Sequence, residues 1–225
     1  MLHLLSAAFV AGMGAWLIRR GRSRGIRLAL ASFVVAATAM LALSGTYHLL
    51  DDGTTGRAVL RRLDHAAIWT MIAASFTAIH GAAFRGRWRW AFLTIVWVVA
   101  LLGLVLKTVF LDSLPESAWL ALYLALGWLG IVSAFALRRL RGLSGIRDFL
   151  LGGVAYSVGA AYDFARGPSL IPDVIGPHEI FHIAVVLGVA LHWRFIAELA
   201  TTRRCAAPSP APRLCTSQGA GARIR

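Results

Sequence analysis

Residues 176–196 read GPHEIFHIAVVLGVALHWRFI, and this stretch decides the class of the molecule. Two histidines, His178 and His182, stand four apart at the start of an apolar run that continues to Ile196. On a helix that spacing puts both imidazoles on one face, about one turn apart, which is the geometry two ligands need to grip one zinc ion. The run itself is apolar enough to lie in a bilayer.

The rest of the chain repeats this character. Of 225 residues, 58% are hydrophobic and 15% charged, and the apolar ones gather in runs of roughly 17–23, the length that crosses the hydrocarbon core as a helix. Seven candidate spans follow: Leu2 to Ile18, Leu28 to Leu50, Leu63 to Phe84, Trp90 to Leu106, Ala118 to Leu137, Arg147 to Tyr162, and His178 to Ile196. The expected fold is an all-α, seven-transmembrane helix bundle. The first span lacks a preceding basic region and a convincing cleavage site, so it reads as a helix rather than a signal peptide. Short connections make residues 1–200 one membrane domain, with Gly, Ala and Ser allowing close helix contact. Residues 201–225, rich in Pro, Ala and Arg, read as a disordered tail. That tail holds both cysteines, Cys205 and Cys215, which therefore read as incidental thiols.

A formal charge of +13 would suggest nucleic acid in a soluble protein. Here the arginines sit in loops and tail, so membrane orientation explains them better, and the expected partners are membrane lipids, not nucleic acid. One face carries Arg57, Arg61, Arg62, Lys107 and Arg166. The other carries Arg19, Arg20, Arg22, Arg24 and Arg27, then Arg85, Arg87 and Arg89, then Arg138, Arg139, Arg141 and Arg147, with six more arginines from Arg194 onward, making eighteen against five. The positive-inside rule then puts the carboxyl terminus in the cytoplasm.

Ionisable residues in or beside membrane spans are costly and are functional candidates by default. Ser44 and His48 lie near the end of the second span, Asp64 opens the third, and His178 and His182 open the seventh. Ends of even spans and starts of odd ones share one side of the membrane, so these groups share one depth. Three histidines with a fourth position left to water would form an open, catalytic type of zinc site, with Asp64 as base and Ser44 one turn deeper than His48. Blander readings remain for each: His48 as an interfacial polar residue, Asp64 as a carboxylate complementing its helix dipole, and the histidine pair as a haem or proton-path site. His-Glu-Ile-Phe-His also matches the HExxH pattern, in which Glu179 would be the base, but the match is short and Glu179 points about 100° away from His178 around the helix. His65, His80 and His192 read as lying away from the site.

Ser44-Gly-Thr-Tyr47-His48, Leu63-Asp64-His65 and Gly176-Pro-His178-Glu-Ile-Phe-His182, in this order on seven spans, resemble the hemolysin III family, the bacterial branch of the progestin and adipoQ receptors. The resemblance runs from about Leu28 to Trp193, within a superfamily that includes alkaline ceramidases. It implies one zinc held by His48, His178 and His182, with Asp64 linked through water and Ser44 nearby, in a multi-pass protein of the bacterial inner membrane. It further implies either lipid amide hydrolysis, as in the receptor branch, or membrane lipid homeostasis, the family name coming from a reported cytolytic activity. Family precedent places the amino terminus inside, the reverse of the arginine count. The expected function is zinc-dependent hydrolysis of lipid amides or esters; the alternative is a lipid sensor or pore-forming protein with a structural zinc.

Overall fold

The computed structural model describes residues 1–110, 113–172 and 174–201. The tail and its two cysteines lie outside the described residues. Among those described, the secondary structure is helical: α1 (Leu2–Arg19), α2 (Arg24–Tyr47), α3 (Thr55–Ala83), α4 (Arg87–Val109), α5 (Glu116–Trp128), α6 (Gly130–Arg141), α7 (Arg147–Phe164) and α8 (Pro177–Thr201), with a short 3-10 turn at Ser144–Ile146. Each of the seven expected spans is helical. The fifth is divided at Leu129, where α5 stops and α6 begins, although Glu116–Arg141 remains one apolar segment of 26 residues.

Six helical segments are long and apolar enough to cross a membrane: α1, α2, α3, α4, the α5–α6 pair and α8. The remaining helix, α7, has 18 residues but carries Arg147, Asp148 and Asp163 at its ends. It is held by close packing on α8. α3 differs from expectation in starting eight residues before Leu63, because the Thr54 side chain accepts the Arg57 N–H at 3.2 Å and caps an added, charged pair of turns. Ser23 caps α2 in the same way, accepting from Ile26.

Helix α3 is the centre of the bundle, touching α2, α4, α5 and α8, while α1 packs on α2 and α8. One core joins Leu30, Phe33 and Leu41 of α2 to Ile79 of α3 and Phe195 and Ile196 of α8. A second core, around Trp69, Phe76, Phe92 and Trp119, ties α3 to α4 and α5. Small residues set these distances. A Cβ on Gly103 would lie 2.5 Å from the Trp69 ring, and one on Gly159 would lie 2.4 Å from the Ala184 Cβ, so α4 approaches α3, and α7 approaches α8, nearly backbone to side chain. Leu5, Phe9, Val35, Leu102, Phe135 and Leu187 are exposed around the outside. In water such a surface would aggregate; in a bilayer it is the lipid-facing belt.

Candidate metal centre

The site forms where α2 ends and α3 and α8 begin. Pro177 opens α8, with φ already set for a helix and no N–H to leave unpaired. Glu179 reaches back, its Oε2 accepting the Gly176 N–H at 2.9 Å. It therefore works as a helix-start clamp, the carboxylate half of a capping box. That use explains HExxH without a base.

His178 and His182 project from the first two turns of α8 with their Nε2 atoms 2.9 Å apart. His48 caps the carboxyl end of α2, its N–H donating to the Ser44 carbonyl at 3.2 Å, and its Nε2 lies 3.2 Å from that of His178. One ligand atom from each of the three falls within 4.8 Å of the others. Tetrahedral zinc with bonds of about 2.0–2.1 Å requires ligand nitrogens about 3.3–3.4 Å apart. The observed spacing is within a few tenths of an ångström of this for the two pairs through His178. Lone pairs this close repel one another unless a cation or shared protons lie between them, so the donor set fits a divalent metal of the zinc type. Partial burial, then the neighbouring His178 and Arg57, lower the His48 pKa from its ordinary value, favouring the neutral ring a metal needs.

Asp64, on the third turn of α3, has a largely buried side chain, its Oδ2 3.8 Å from His65 Nδ1. The Ser44 hydroxyl faces the Asp64 carboxyl group, and Asp64 and His178 are near enough to feel each other's charge. Ser44 thus sits between the α2 that carries His48 and the α3 that carries Asp64. Of the residues picked out by spacing and side, His48, His178 and His182 converge, and Ser44 and Asp64 face each other nearby. His65, His80 and His192 are engaged elsewhere. His65 Nδ1 bonds the Arg61 carbonyl at 2.8 Å, His80 Nε2 bonds Ser133 Oγ at 2.8 Å, and His192 Nε2 bonds the Phe149 carbonyl at 3.1 Å.

Two contributors were not anticipated. Asp163, near the end of α7, has its Oδ2 3.0 Å from His178 Nδ1. His3, at the start of α1 and buried, has its ring nitrogens 3.1 and 2.9 Å from His182 Nδ1. Both belong to the same side as the other groups, one opening an odd span and the other closing an even one. The parity that selected Asp64 would have selected them too.

A cavity of about 200 Å³ lies within the bundle. Its wall is almost wholly apolar, with Met71 and Phe76 of α3, Tyr123 and Trp128 of α5, and Phe181 and Val185 of α8 among its residues. Phe181 of α8 and Ile68 of α3, each within one helical turn of a site residue, are among its lining, which also reaches His192 deeper in the bundle. Trp128 Nε1 donates to Ser157 Oγ at 3.0 Å across the α5–α7 side of the cavity.

The family model described as "Haemolysin-III related" matches residues 1–193. The chain belongs to the haemolysin III family. Among its relatives, Hemolysin-3 of Bacillus cereus is 33% identical over 57% of this chain, a match spanning 56% of that protein's length. The Hemolysin-3 homolog of Bacillus subtilis (strain 168) is 31% identical over 71% of this chain and 72% of its own. A plant protein, heptahelical transmembrane protein ADIPOR2 of Oryza sativa subsp. japonica, is 32% identical over 72% of this chain and 77% of its own. Haemolysin III membership and the apolar helices together make this a multi-pass membrane protein.

Proposed function

We propose that this haemolysin III protein is a zinc-dependent hydrolase of lipid amides or esters, serving membrane lipid homeostasis. The observation that carries the reading is the convergence of three imidazoles near a largely buried carboxylate in a bundle that also holds an apolar cavity. A lipid chain lying in the cavity brings its polar linkage to the level of Phe181 and His182. Bound zinc would supply Lewis acidity toward a carbonyl oxygen and make water acidic enough to ionise near neutral pH. Asp64 takes the proton of the attacking water and returns it to the leaving amine or alcohol. Ser44, facing Asp64, donates its one O–H to that carboxylate and holds it in place. His48, His178 and His182 hold the metal. An apolar cavity wall suits a lipid chain better than a water-filled pore. With eighteen basic residues on the side away from the histidines, the metal site faces outward and the carboxyl terminus is cytoplasmic.

The test measures zinc content and product release from long-chain lipid amides and esters in the same liposome samples. Wild type should hold about one zinc per chain; His178→Ala and His182→Ala should lose metal and activity together. Asp64→Asn should keep the metal while hydrolysis falls by roughly 10²–10⁴-fold, the usual contribution of a positioned base. Zinc-loaded wild type releasing no more product than Asp64→Asn across the panel would leave a lipid sensor with structural zinc as the better account.

A further inference from the structure

Three ligands are not enough to build a metal centre at a helix end, where rings can turn freely about χ2. An imidazole presents its Nε2 lone pair to a metal reliably only if its Nδ1–H is held by something else. Two of the three rings here are held, and by helices that contribute no ligand.

We propose that Asp163 of α7 and His3 of α1 are the positioning residues of the centre, fixing the tautomer and the ring plane of His178 and of His182 respectively. This rests on the metal reading above. A carboxylate only accepts, so the 3.0 Å contact makes His178 Nδ1 the donor to Asp163 Oδ2 and leaves its Nε2 unprotonated toward His48 and His182. The Asp163 side chain is 30% exposed, so the pair is part-buried and retains strength. His3 meets the His182 ring edge-on, with ring centroids 4.1 Å apart and planes at 85°, and sits within 2.9–3.1 Å of His182 Nδ1. Its Nε2 also lies 3.4 Å from the His182 carbonyl oxygen. With its Nε2–H directed at that carbonyl, His3 accepts the His182 Nδ1–H at its own Nδ1 and so meets both the ring and the backbone of that ligand.

The placement of His3 is itself enforced. The next residue, Leu4, packs onto Gly45 of α2 so closely that a Cβ there would lie 2.7 Å from Leu4 Cγ. Gly45 is three residues before His48, so the contact that docks α1 also sets its depth against the end of α2. His3 is 5% exposed, a burial that a merely interfacial histidine would not need. The amino-terminal helix is thus a working part of the site.

The experiment measures zinc affinity of the full chain in nanodiscs by competition with chelators of graded strength, and the visible spectrum of the Co²⁺-loaded protein. The variants are Asp163→Ala, Asp163→Asn, His3→Phe and His178→Ala. Asp163→Ala and His3→Phe should each weaken zinc by about 10–100-fold, the usual cost of losing such a partner, with tetrahedral Co²⁺ absorption retained. Asp163→Asn keeps an acceptor for His178 Nδ1–H and should recover part of the loss. His178→Ala should abolish tight binding. Unchanged affinity in both Asp163→Ala and His3→Phe overturns the proposal while the metal reading stands. A His3→Phe protein whose Co²⁺ spectrum reports a different ligand set would make His3 a ligand and overturn its positioning role. A wild type that binds no zinc overturns the metal reading itself, and the proposal with it.

Discussion

Replacing Gly159 with alanine should weaken metal binding although the residue touches no ligand. The added Cβ would stand 2.4 Å from the Ala184 Cβ, and ordinary contact begins at 3.4 Å. Neither atom can rotate away, so α7 and α8 must part by about 1 Å at that level, the kind of backbone shift overpacking forces. Asp163 lies one turn further along the same face of α7, and His178 lies at the matching level of α8. If the helices part as rigid bodies, the Asp163–His178 contact of 3.0 Å opens toward about 4 Å, outside hydrogen-bond range. The expected stability cost is about 1–3 kcal/mol, and zinc affinity should fall toward the level of Asp163→Ala, about tenfold or more. Adding Ala184→Gly removes the opposing methyl and should restore both quantities, a coupling that a double-mutant cycle reads directly. Thermal unfolding and chelator competition on the four proteins of the cycle supply the data. If Gly159→Ala unfolds earlier but binds zinc as wild type does, α7 is not transmitting position to His178. If Ala184→Gly gives no rescue, the clash is not the cause.

Two further outcomes are expected. Glu179→Gln should keep zinc and hydrolysis, because Oε2 serves the Gly176 N–H and an amide oxygen can still accept it; loss of turnover with zinc retained would instead make Glu179 a base of the HExxH kind. Reporters fused after Ile196 and within the loop between α2 and α3 should mark opposite compartments, the first cytoplasmic; a tail reporting outside would show that the eighteen-to-five arginine imbalance does not set the orientation.

The histidine pair on α8 was legible because both members obey one helical period, and their meeting with His48 and Asp64 was legible because loop parity fixes which helix ends share a membrane face. Parity gives the side of the membrane for His3 and Asp163 as well, but not their depth or which ring they meet. His3 is the lone histidine of α1 and Asp163 sits beside a polar loop, and it is the packing of Leu4 on Gly45 and of Gly159 on Ala184 that sets their depth. The same limit hid the start of α3. The run from Thr55 to Arg62 carries three arginines and reads as loop by hydropathy, whereas one side-chain bond from Thr54 is enough to wind it as helix beyond the bilayer.

The cavity was out of reach for a different reason. Its wall is drawn from α2, α3, α5, α6, α7 and α8, and the apolar residues that line it are of the same types as those that face lipid. Hydropathy cannot tell an inward-facing Met71 from a lipid-facing Leu102, because in a bilayer both sides of a helix are apolar. What separates them is where small residues let helices close up and where they do not. α7 closes on α8 through Gly159, while α5 and α6 are interrupted at Leu129 between Gly127 and Gly130, and Trp128 reaches across to Ser157. The bundle is therefore tight where α7 meets α8 and leaves a cavity bordered by the broken α5–α6 segment. Both the close α7–α8 contact and the break in the α5–α6 segment occur at or beside glycines, so the shape of the bundle around His178 and the cavity follows from small residues rather than from the chemistry-bearing residues themselves.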